Sequence, residues 1–506
     1  TIWIGDGELI VGERGPAPKV VPTYPELTCH TLDDLRILEK REKVSYRLES
    51  DVLEVYEKEI IPYWAGRTMR ERIFSHVPAE WKAAYEAGMF TEFMEQRAPG
   101  HTTLGDLIYR KGMVELQADI KEALSALDFL ADPLASEKAE ELQAMEVACR
   151  AAVVFAERHA SLAEQMAEGE QDPLRRNELL EIARICRRVP ARAPGSFREA
   201  LQMYWFVHLG TITELNGWDS MNPGHLDQHL YPFYRADLEK GILSREGARE
   251  LLECFWIKFN NHPAPPKVGV TAAESGTYND FTNINLGGLR PDGSDGVNEL
   301  SYLLLEVMDE IHLLQPGCNV QISRKTPEHF LREACRVIRK GYGYPAVFNA
   351  DAVTAEQVRV GKTVEDARSG GTSGCIETGC FGKEAYILTG YLNVPKVLEM
   401  VLNRGVDPLS GARLGPDTGD PLEFQGFDRL YEAFEKQLTQ VVDLKIRVNQ
   451  YIERMFARYM PAPFLSAVIQ DCIQKGRDYY DGGPRYHTHS LQCCGIGSVT
   501  DRLSDM

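Results

Sequence analysis

The chain has 506 residues, and 56 Lys and Arg against 75 Asp and Glu give a formal net charge of −19. Hydrophobic residues make up 43% and charged residues 26%, as in globular proteins and unlike disordered or collagen-like chains. The acidic balance argues against a nucleic-acid surface, which needs clustered Lys and Arg. No apolar run reaches the roughly 18 residues of a membrane span. We therefore expect a globular protein with neither nucleic acid nor membrane as a partner.

Helical patterns dominate the predicted elements. Residues 248–261 place five apolar side chains on one helix face, namely Leu251, Leu252, Phe255, Trp256 and Phe259. Similar spacing predicts helices over residues 298–313 and 424–458. The pair Thr326-Pro327 predicts a helix start, with the threonine as N-cap and the proline as first helical residue.

Short apolar runs between these helices predict β-strands. The candidate strands are residues 268–271, 281–286, 318–322 and 345–348. Alternation of short strands with long helices indicates an α/β fold. Neither a fixed-period repeat nor a long Gly/Ser linker divides the chain, so residues 1–506 are expected to form one domain.

The eleven cysteines do not form the pattern of a disulfide framework. Their number is odd, and most lie in apolar, helix-like contexts. We expect them to be reduced, as in a cytoplasmic protein, and for the most part buried as small apolar residues.

The densest signal is the glycine-rich run SGGTSGCIETGCFG at residues 369–382. Glycines allow tight loops, and a cysteine at such a tip suggests a reactive thiol at Cys375. Glu377, two residues on, would face the same pocket if the tip is extended, as a base or a substrate anchor. Two other interpretations stay open: half a metal site formed with Cys380, or a simple turn. Residue types alone favour the catalytic interpretation and the simple turn about equally.

Two further motifs predict no site. The run Gly361-Lys362-Thr363 lacks the earlier glycine of a phosphate loop, since Glu356 stands there. The second motif, His487-x-His489 with Cys493 and Cys494, has metal-like residue types but fits no zinc spacing. Surface or packing roles are expected for these four residues, and no metal is expected in the protein.

Several long strings resemble one known family. They are GDGELIVGERG, TYPELTCHT, GMFTEFMEQRAPGHT, FNNHPAPPKVGVT and GGTSGCIETGCFGKEAY. Together they resemble the glycyl radical enzymes. The resemblance implies an α/β fold of the pyruvate formate-lyase-like type, a barrel of two parallel half-sheets surrounded by helices with the cysteine loop in its interior. It also implies that the barrel is truncated here.

The same resemblance assigns eight pocket residues. Cys375 matches the cysteine that becomes a thiyl radical, and Glu377 matches its acidic partner. His101 and Asp219 match two further catalytic positions. Substrate-binding positions are matched by Phe93, Ser275, Phe281 and Tyr391. Taken singly, the aromatics could be core residues, His101 a loop histidine and Asp219 a turn residue; agreement of all eight favours the pocket.

The implied activity is that of a carbon–oxygen lyase. It would remove water from trans-4-hydroxy-L-proline to give (S)-1-pyrroline-5-carboxylate. The Cys375 radical would take hydrogen from C5. His101, tuned by Asp219, would protonate the leaving hydroxyl. Glu377 would accept a proton, Ser275 would hold a polar group, and the three aromatics would exclude water.

Other members of the family provide the alternatives. Diol and glycerol dehydratases carry an acid where this chain has Thr389, which disfavours a diol. An isethionate sulfite-lyase would show a Trp near Phe281 and a Gln near His101, so it ranks lower. Another radical C–O or C–S lyase remains the first alternative.

The family stores its radical on a C-terminal glycine in an Arg-Val-x-Gly run. Arg336-Val337 and Arg447-Val448 are not followed by such a glycine, and in Arg359-Val360-Gly361 it comes one residue early. The resemblance therefore implies a radical glycine outside this chain, in a missing C-terminal domain. It also implies an activating enzyme with S-adenosylmethionine and an iron–sulfur cluster, a homodimer and an anaerobic setting. Alternatively, the chain is a silent fragment that binds substrate, or half of a split enzyme.

Overall fold

The computed structural model describes residues 2–95, 98, 101–215, 221–264, 267–268 and 281–505. Helices dominate the first half of the described chain. They are α1 (Leu32–Lys40), α2 (Ser50–Val55), α3 (Ile61–Trp64), α4 (Met69–His76), α5 (Ala79–Glu86), α6 (Leu107–Arg110), α7 (Met113–Ser125), α8 (Ala135–Gly169), α9 (Pro173–Arg188), α10 (Phe197–Glu214), α11 (Leu226–Glu239) and α12 (Arg245–Asn260). One turn of π-helix, Tyr56–Ile60, joins α2 to α3.

The second half alternates helices with strands. Its helices are α13 (Glu299–Ile311), α14 (Glu328–Ile338), α15 (Ala350–Arg359), α16 (Val364–Arg368), α17 (Val394–Leu402), α18 (Phe427–Tyr459), α19 (Pro463–Val468), α20 (Cys472–Lys475) and α21 (Ile496–Asp505). Short 3-10 turns lie at Pro421–Glu423 and Tyr479–Asp481.

The strands are short except for two. They are β1 (Thr102–Thr103), β2 (Met221–Asn222), β3 (Asn283–Gly287), β4 (Gly317–Ile322), β5 (Ala346–Asn349), β6 (Gly371–Ser373), β7 (Glu377–Gly379), β8 (Glu384–Asn393) and β9 (Tyr486–Cys494). Parallel pairing joins β1 to β2, orders β3-β4-β5, and joins β8 to β9. Strands β6 and β7 form an antiparallel hairpin. Parallel strands connected by helices confirm the predicted α/β class.

The core is built on helices that are apolar over most of their surface. In α10, fourteen of the eighteen residues are buried, as expected of a helix with no solvent-facing side. The five predicted face residues of α12 are buried too. In α18, the buried face also includes four polar residues, Gln437, Lys445, Asn449 and Glu453.

Predictions for the other elements agree in part. The strands predicted at 281–286, 318–322 and 345–348 correspond to β3, β4 and β5. Of the strand predicted at 268–271, only Val268 lies among the described residues. The start of α14 is one residue later than predicted: Pro327 is its N-cap, and the Thr326 hydroxyl accepts the Ser323 N–H instead.

All eleven cysteines are free thiols, as predicted. The expectation that most are buried is wrong. Five are buried, two are partly buried and four are exposed. The exposed ones are Cys335, Cys375, Cys493 and Cys494.

Among the described residues, no helix is both long enough and apolar enough to cross a lipid bilayer.

Candidate active site

Cys375 lies at the tip of the β6–β7 hairpin. Ser373 pairs with Glu377 across the hairpin, so that residues 374–376 form the turn. Cys375 is exposed, whereas Glu377 is only 6% exposed. The tip at residues 374–376 is therefore a turn and not the extended segment considered from the sequence, and it leaves the thiol exposed and the carboxylate buried.

The Glu377 carboxylate organises the tip. Its Oε2 accepts the backbone N–H of Cys375 at 2.9 Å and that of Ile376 at 3.1 Å. The same oxygen lies 3.5 Å from Nδ1 of His101, whose side chain is also buried. The other oxygen, Oε1, accepts a hydrogen bond from Nε2 of Gln492. Two predicted catalytic residues, Glu377 and His101, are thus brought together beside the Cys375 backbone.

Gly374 makes this close approach possible. Its φ of +66° lies in the left-handed region, which other residues rarely adopt. A Cβ at this position would stand 1.8 Å from Nδ1 of His101 and 2.8 Å from Oε2 of Glu377. Any side chain here would therefore displace the imidazole or the hairpin tip.

Amide and imidazole side chains anchor the hairpin to its surroundings. They are Asn222 to the Ser373 hydroxyl (2.9 Å), Asn283 to the Gly374 carbonyl (2.6 Å), Asn285 to the Thr372 carbonyl (2.8 Å) and His225 to the Gly370 carbonyl (2.8 Å). Burial lowers the pKa of His225 to about 4. This imidazole is therefore neutral at pH 7, and its Nε2 carries the proton donated to Gly370.

Strand β8 positions the aromatic wall of the site. The Tyr391 carbonyl accepts the Thr91 N–H at 2.9 Å, and the Thr389 carbonyl accepts the Phe93 N–H at 3.0 Å. This pairing places the rings of Phe93 and Tyr391 edge to face, with centroids 4.8 Å apart. Both residues are partly buried. Two of the predicted substrate-binding aromatics therefore form one surface.

The same strand also holds His101. The His101 N–H donates to the Tyr386 carbonyl at 3.0 Å, and the His101 carbonyl accepts from the Ser373 hydroxyl at 2.7 Å. Backbone contacts on both sides thus fix the imidazole between β8 and the cysteine hairpin.

Of the three remaining predicted site residues, the structure describes only Phe281. Phe281 is partly buried with a φ of +60°, and its carbonyl accepts a hydrogen bond at 3.4 Å from Asn283, which also contacts Gly374. Asp219 and Ser275 lie outside the described residues.

A metal site shared by Cys375 and Cys380 does not form in the described chain. Cys380 is fully buried, and burial raises the pKa of its thiol to about 12. Neither cysteine belongs to the one cluster of possible metal ligands found among the described residues. The exposed Cys375 is the thiol of this loop that can react.

Sequence reasoning missed two neighbours of the site. Gln492 contacts Glu377 from a strand that begins more than a hundred residues later. Tyr344 is the second: burial is the main cause that raises the pKa of its hydroxyl, and electrostatic interactions with Cys375 and Cys318 raise it further. Neither has a local motif, and the pairing of Gln492 with Tyr391 across β8 and β9 is visible only in the fold.

Known proteins share this architecture. The chain is 55% identical to trans-4-hydroxy-L-proline dehydratase of Clostridioides difficile over 504 residues, covering 100% of this chain and 64% of that protein. The crystal structure of hydroxyproline dehydratase from the same organism, with trans-4-hydroxy-L-proline bound, superposes with a TM-score of 0.97 at 55% identity, over 99% of this chain and 64% of that one. The glycerol-bound B12-independent glycerol dehydratase from Clostridium butyricum gives a TM-score of 0.93 at 31% identity, over 99% and 63%.

The chain therefore spans less than two thirds of the length of these relatives. The family model described as pyruvate formate lyase-like matches residues 1–505. With the fold, the cysteine hairpin and these relatives in agreement, the chain belongs to the pyruvate formate lyase-like family of glycyl radical enzymes, as its motifs predict.

Proposed function

We propose that the complete protein dehydrates trans-4-hydroxy-L-proline to (S)-1-pyrroline-5-carboxylate. The observation that carries the proposal is the convergence of Glu377 and His101 at the tip that exposes Cys375. The Clostridioides difficile relative, which has this activity in its name, supports the substrate.

A glycyl radical would supply the one-electron oxidant that converts the Cys375 thiol to a thiyl. No Arg-Val-x-Gly run occurs in this sequence, so we place that glycine in polypeptide outside these 506 residues. The exposed Cys375, next to an Ile376 that is 64% exposed, fits this role, because a second protein segment can reach the tip.

The chemistry at the substrate then uses this chain's own groups. The Cys375 sulfur takes a hydrogen atom from C5, forming an S–H bond and leaving a carbon radical beside the ring nitrogen. His101 protonates the C4 hydroxyl, which leaves as water. Glu377 accepts the proton from the ring nitrogen. The Cys375 thiol returns its hydrogen atom to C4, which completes the imine product and restores the thiyl.

The contact between Glu377 and His101 adds a link to this scheme. Nδ1 of His101 and Oε2 of Glu377 lie 3.5 Å apart, close enough for a proton to pass between them. The proton that Glu377 gains from nitrogen can return to His101 for the next turnover. Phe93 and Tyr391 form the apolar wall that keeps water from the radical.

Position 389 supports a substrate other than a diol. Thr389 is buried, and its hydroxyl donates to the Ser490 carbonyl at 3.2 Å. The Thr389 carbonyl accepts from Lys445. This position therefore serves the packing of β8 and offers no carboxylate to a substrate.

Anaerobic turnover tests the proposal. The complete protein, activated by its radical-generating enzyme, should convert trans-4-hydroxy-L-proline to the pyrroline, detected by mass spectrometry. C375S should abolish conversion, and C335S, at an exposed cysteine on α14, should leave it unchanged. Conversion by C375S, or turnover of glycerol with none of hydroxyproline, would overturn the assignment.

The resemblance also predicts an activating enzyme with S-adenosylmethionine and an iron–sulfur cluster, and a homodimer, and the cysteines predict a cytoplasmic location. We propose these together with the activity. Eleven free thiols are consistent with a reducing compartment.

A further inference from the structure

A second cluster of reactive side chains lies where α18 packs beside β9. Glu453 of α18 points its buried carboxylate at two histidines of β9. Nε2 of His487 contacts Oε1, and Nε2 of His489 lies 2.5 Å from Oε2. The ligand atoms of the three residues all lie within 4.8 Å of one another.

Strand geometry explains why both histidines face the helix. Residues i and i+2 of a strand project from the same face. The neighbours on the opposite face confirm this: Tyr486 contacts Asp366, and Thr488 contacts Glu384. The motif His487-x-His489, which has no zinc spacing of its own, thus gains its third ligand from a helix distant in sequence.

We propose that Glu453, His487 and His489 bind a divalent transition-metal ion of the zinc type. Two imidazole nitrogens and one carboxylate oxygen form a ligand set that suits zinc, with water completing the tetrahedron. To bind the ion, each Nε2 must be free of its proton, so each imidazole would bind as its neutral tautomer with the proton on Nδ1.

The surroundings of the cluster fit a bound ion. The histidine side chains are 25% and 35% exposed, so an ion can reach them from solvent. Asn449 lies one turn earlier on the same side of α18. Its buried Oδ1 has no hydrogen-bond partner within the described part of the chain, and it offers a further oxygen to an ion-bound water.

The site would tie β9 to α18 and would be separate from the cysteine hairpin. Gln492, the residue that contacts Glu377, lies three positions after His489 on the same strand. An ion at the cluster would therefore stiffen the strand that positions this glutamine. The metal proposal does not depend on the identity of the substrate.

Metal titration of the purified protein, after treatment with a chelator, tests the proposal. Calorimetry should give one equivalent of Zn²⁺ per chain, and bound Co²⁺ should show the visible absorption of a tetrahedral site. Zinc should raise the melting temperature, because an ion that binds only the folded state stabilises it. Absence of a stoichiometric zinc equivalent would overturn the proposal.

Glutamine variants separate metal binding from simple hydrogen bonding. In H487Q/H489Q, the amides can still donate to Glu453, so the fold should persist while zinc binding weakens at least about tenfold. H329Q, at an exposed histidine of α14, is the matched control and should bind zinc normally. Zinc binding that survives H487Q/H489Q but is lost in C493S/C494S would assign the ion to the cysteines and contradict the proposal.

Discussion

At the scale of single residues, the site depends on the Glu377 carboxylate. It joins the Cys375 backbone, His101 and Gln492, which come from three separate parts of the chain. The two oxygens have different partners: Oε2 accepts backbone N–H groups of the hairpin tip and lies beside the imidazole, and Oε1 accepts a hydrogen bond from the glutamine. Substitutions around this carboxylate should therefore have distinguishable effects.

Replacing His101 with Gln should leave hydroxyproline binding intact and lower kcat by about 10²-fold or more, because a general acid typically contributes that much. Anaerobic kinetics and calorimetric binding measure the two quantities separately. H329Q provides the comparison for a histidine outside the site. Unchanged turnover in H101Q would remove this residue from the mechanism.

Gln492 should act as a positioning residue. Q492L removes the donor to Oε1, and we expect kcat to fall about tenfold with KM little changed, the effect of about 1–3 kcal/mol for an unsatisfied buried acceptor. Q492E places a second carboxylate against Glu377 and should lower kcat further. Equal activity in Q492L and the wild type would contradict this role.

At the scale of elements, glycines let the β6–β7 hairpin pack against its neighbours. G374A should abolish turnover, because the added methyl would overlap the His101 imidazole. G411A is the matched control: Gly411 also has a positive φ, +71°, but open space around it. It should show only backbone strain, about 1 kcal/mol in thermal unfolding. Active G374A would show that the hairpin tip can move.

Asp227 links three elements and should make stability pH-dependent. Its Oδ2 accepts the Gly287 N–H of β3 at 2.7 Å and the Ser301 hydroxyl of α13. Burial raises its pKa to about 7 from the ordinary 3.8. The unfolded state therefore releases this proton at a lower pH than the folded state does. The stability that protonated Asp227 contributes is fully present below pH 4 and is lost as the pH rises through about 7.

The variant D227N removes this titration. Between pH 5 and 7, the wild type should lose up to about 1.4 kcal/mol per pH unit relative to D227N. Chemical denaturation at several pH values measures the difference. Parallel stability profiles for the two proteins would contradict the raised pKa.

The sequence predicts elements where apolar side chains follow one clear period. This applies to α12, α13 and α18 and to strands β3, β4 and β5. It misses β8, which is buried on both faces and interrupted by an irregularity at Leu388–Gly390, and β9, whose residues are mostly polar. The hairpin tip was predictable from its glycines and cysteine. The contact of Gln492 was not, because it depends on the pairing of these two strands.

At the scale of the whole molecule, a buried ion pair connects distant parts of the chain. Lys445 of α18 lies 2.5 Å from Glu92, both side chains are fully buried, and the ammonium also donates to the Thr389 carbonyl of β8. Burial raises the pKa of Glu92 and lowers the pKa of Lys445. The pair thus holds α18 and β8 against the segment that carries Phe93.

Replacing one partner of this ion pair should lower the stability of the protein more than neutralising both partners. K445M leaves a buried carboxylate alone and should reduce the free energy of unfolding by about 3–5 kcal/mol. The double variant E92Q/K445M should recover much of that loss, since neither group is then charged. Urea denaturation of the wild type, E92Q, K445M and E92Q/K445M gives the coupling energy. Additive effects would show that the two charges do not interact.

The pairing of β8 with the segment around Thr91 joins residues 300 positions apart. On the ribosome, the polypeptide emerges from its N-terminus at about 5–20 residues per second. Phe93 and His101 therefore cannot form their backbone hydrogen bonds with β8 until β8 has been synthesised. Glu377 likewise cannot contact Gln492 until β9 has been synthesised. The nascent chain therefore carries Cys375 for several seconds before the strand that holds Gln492 has been synthesised.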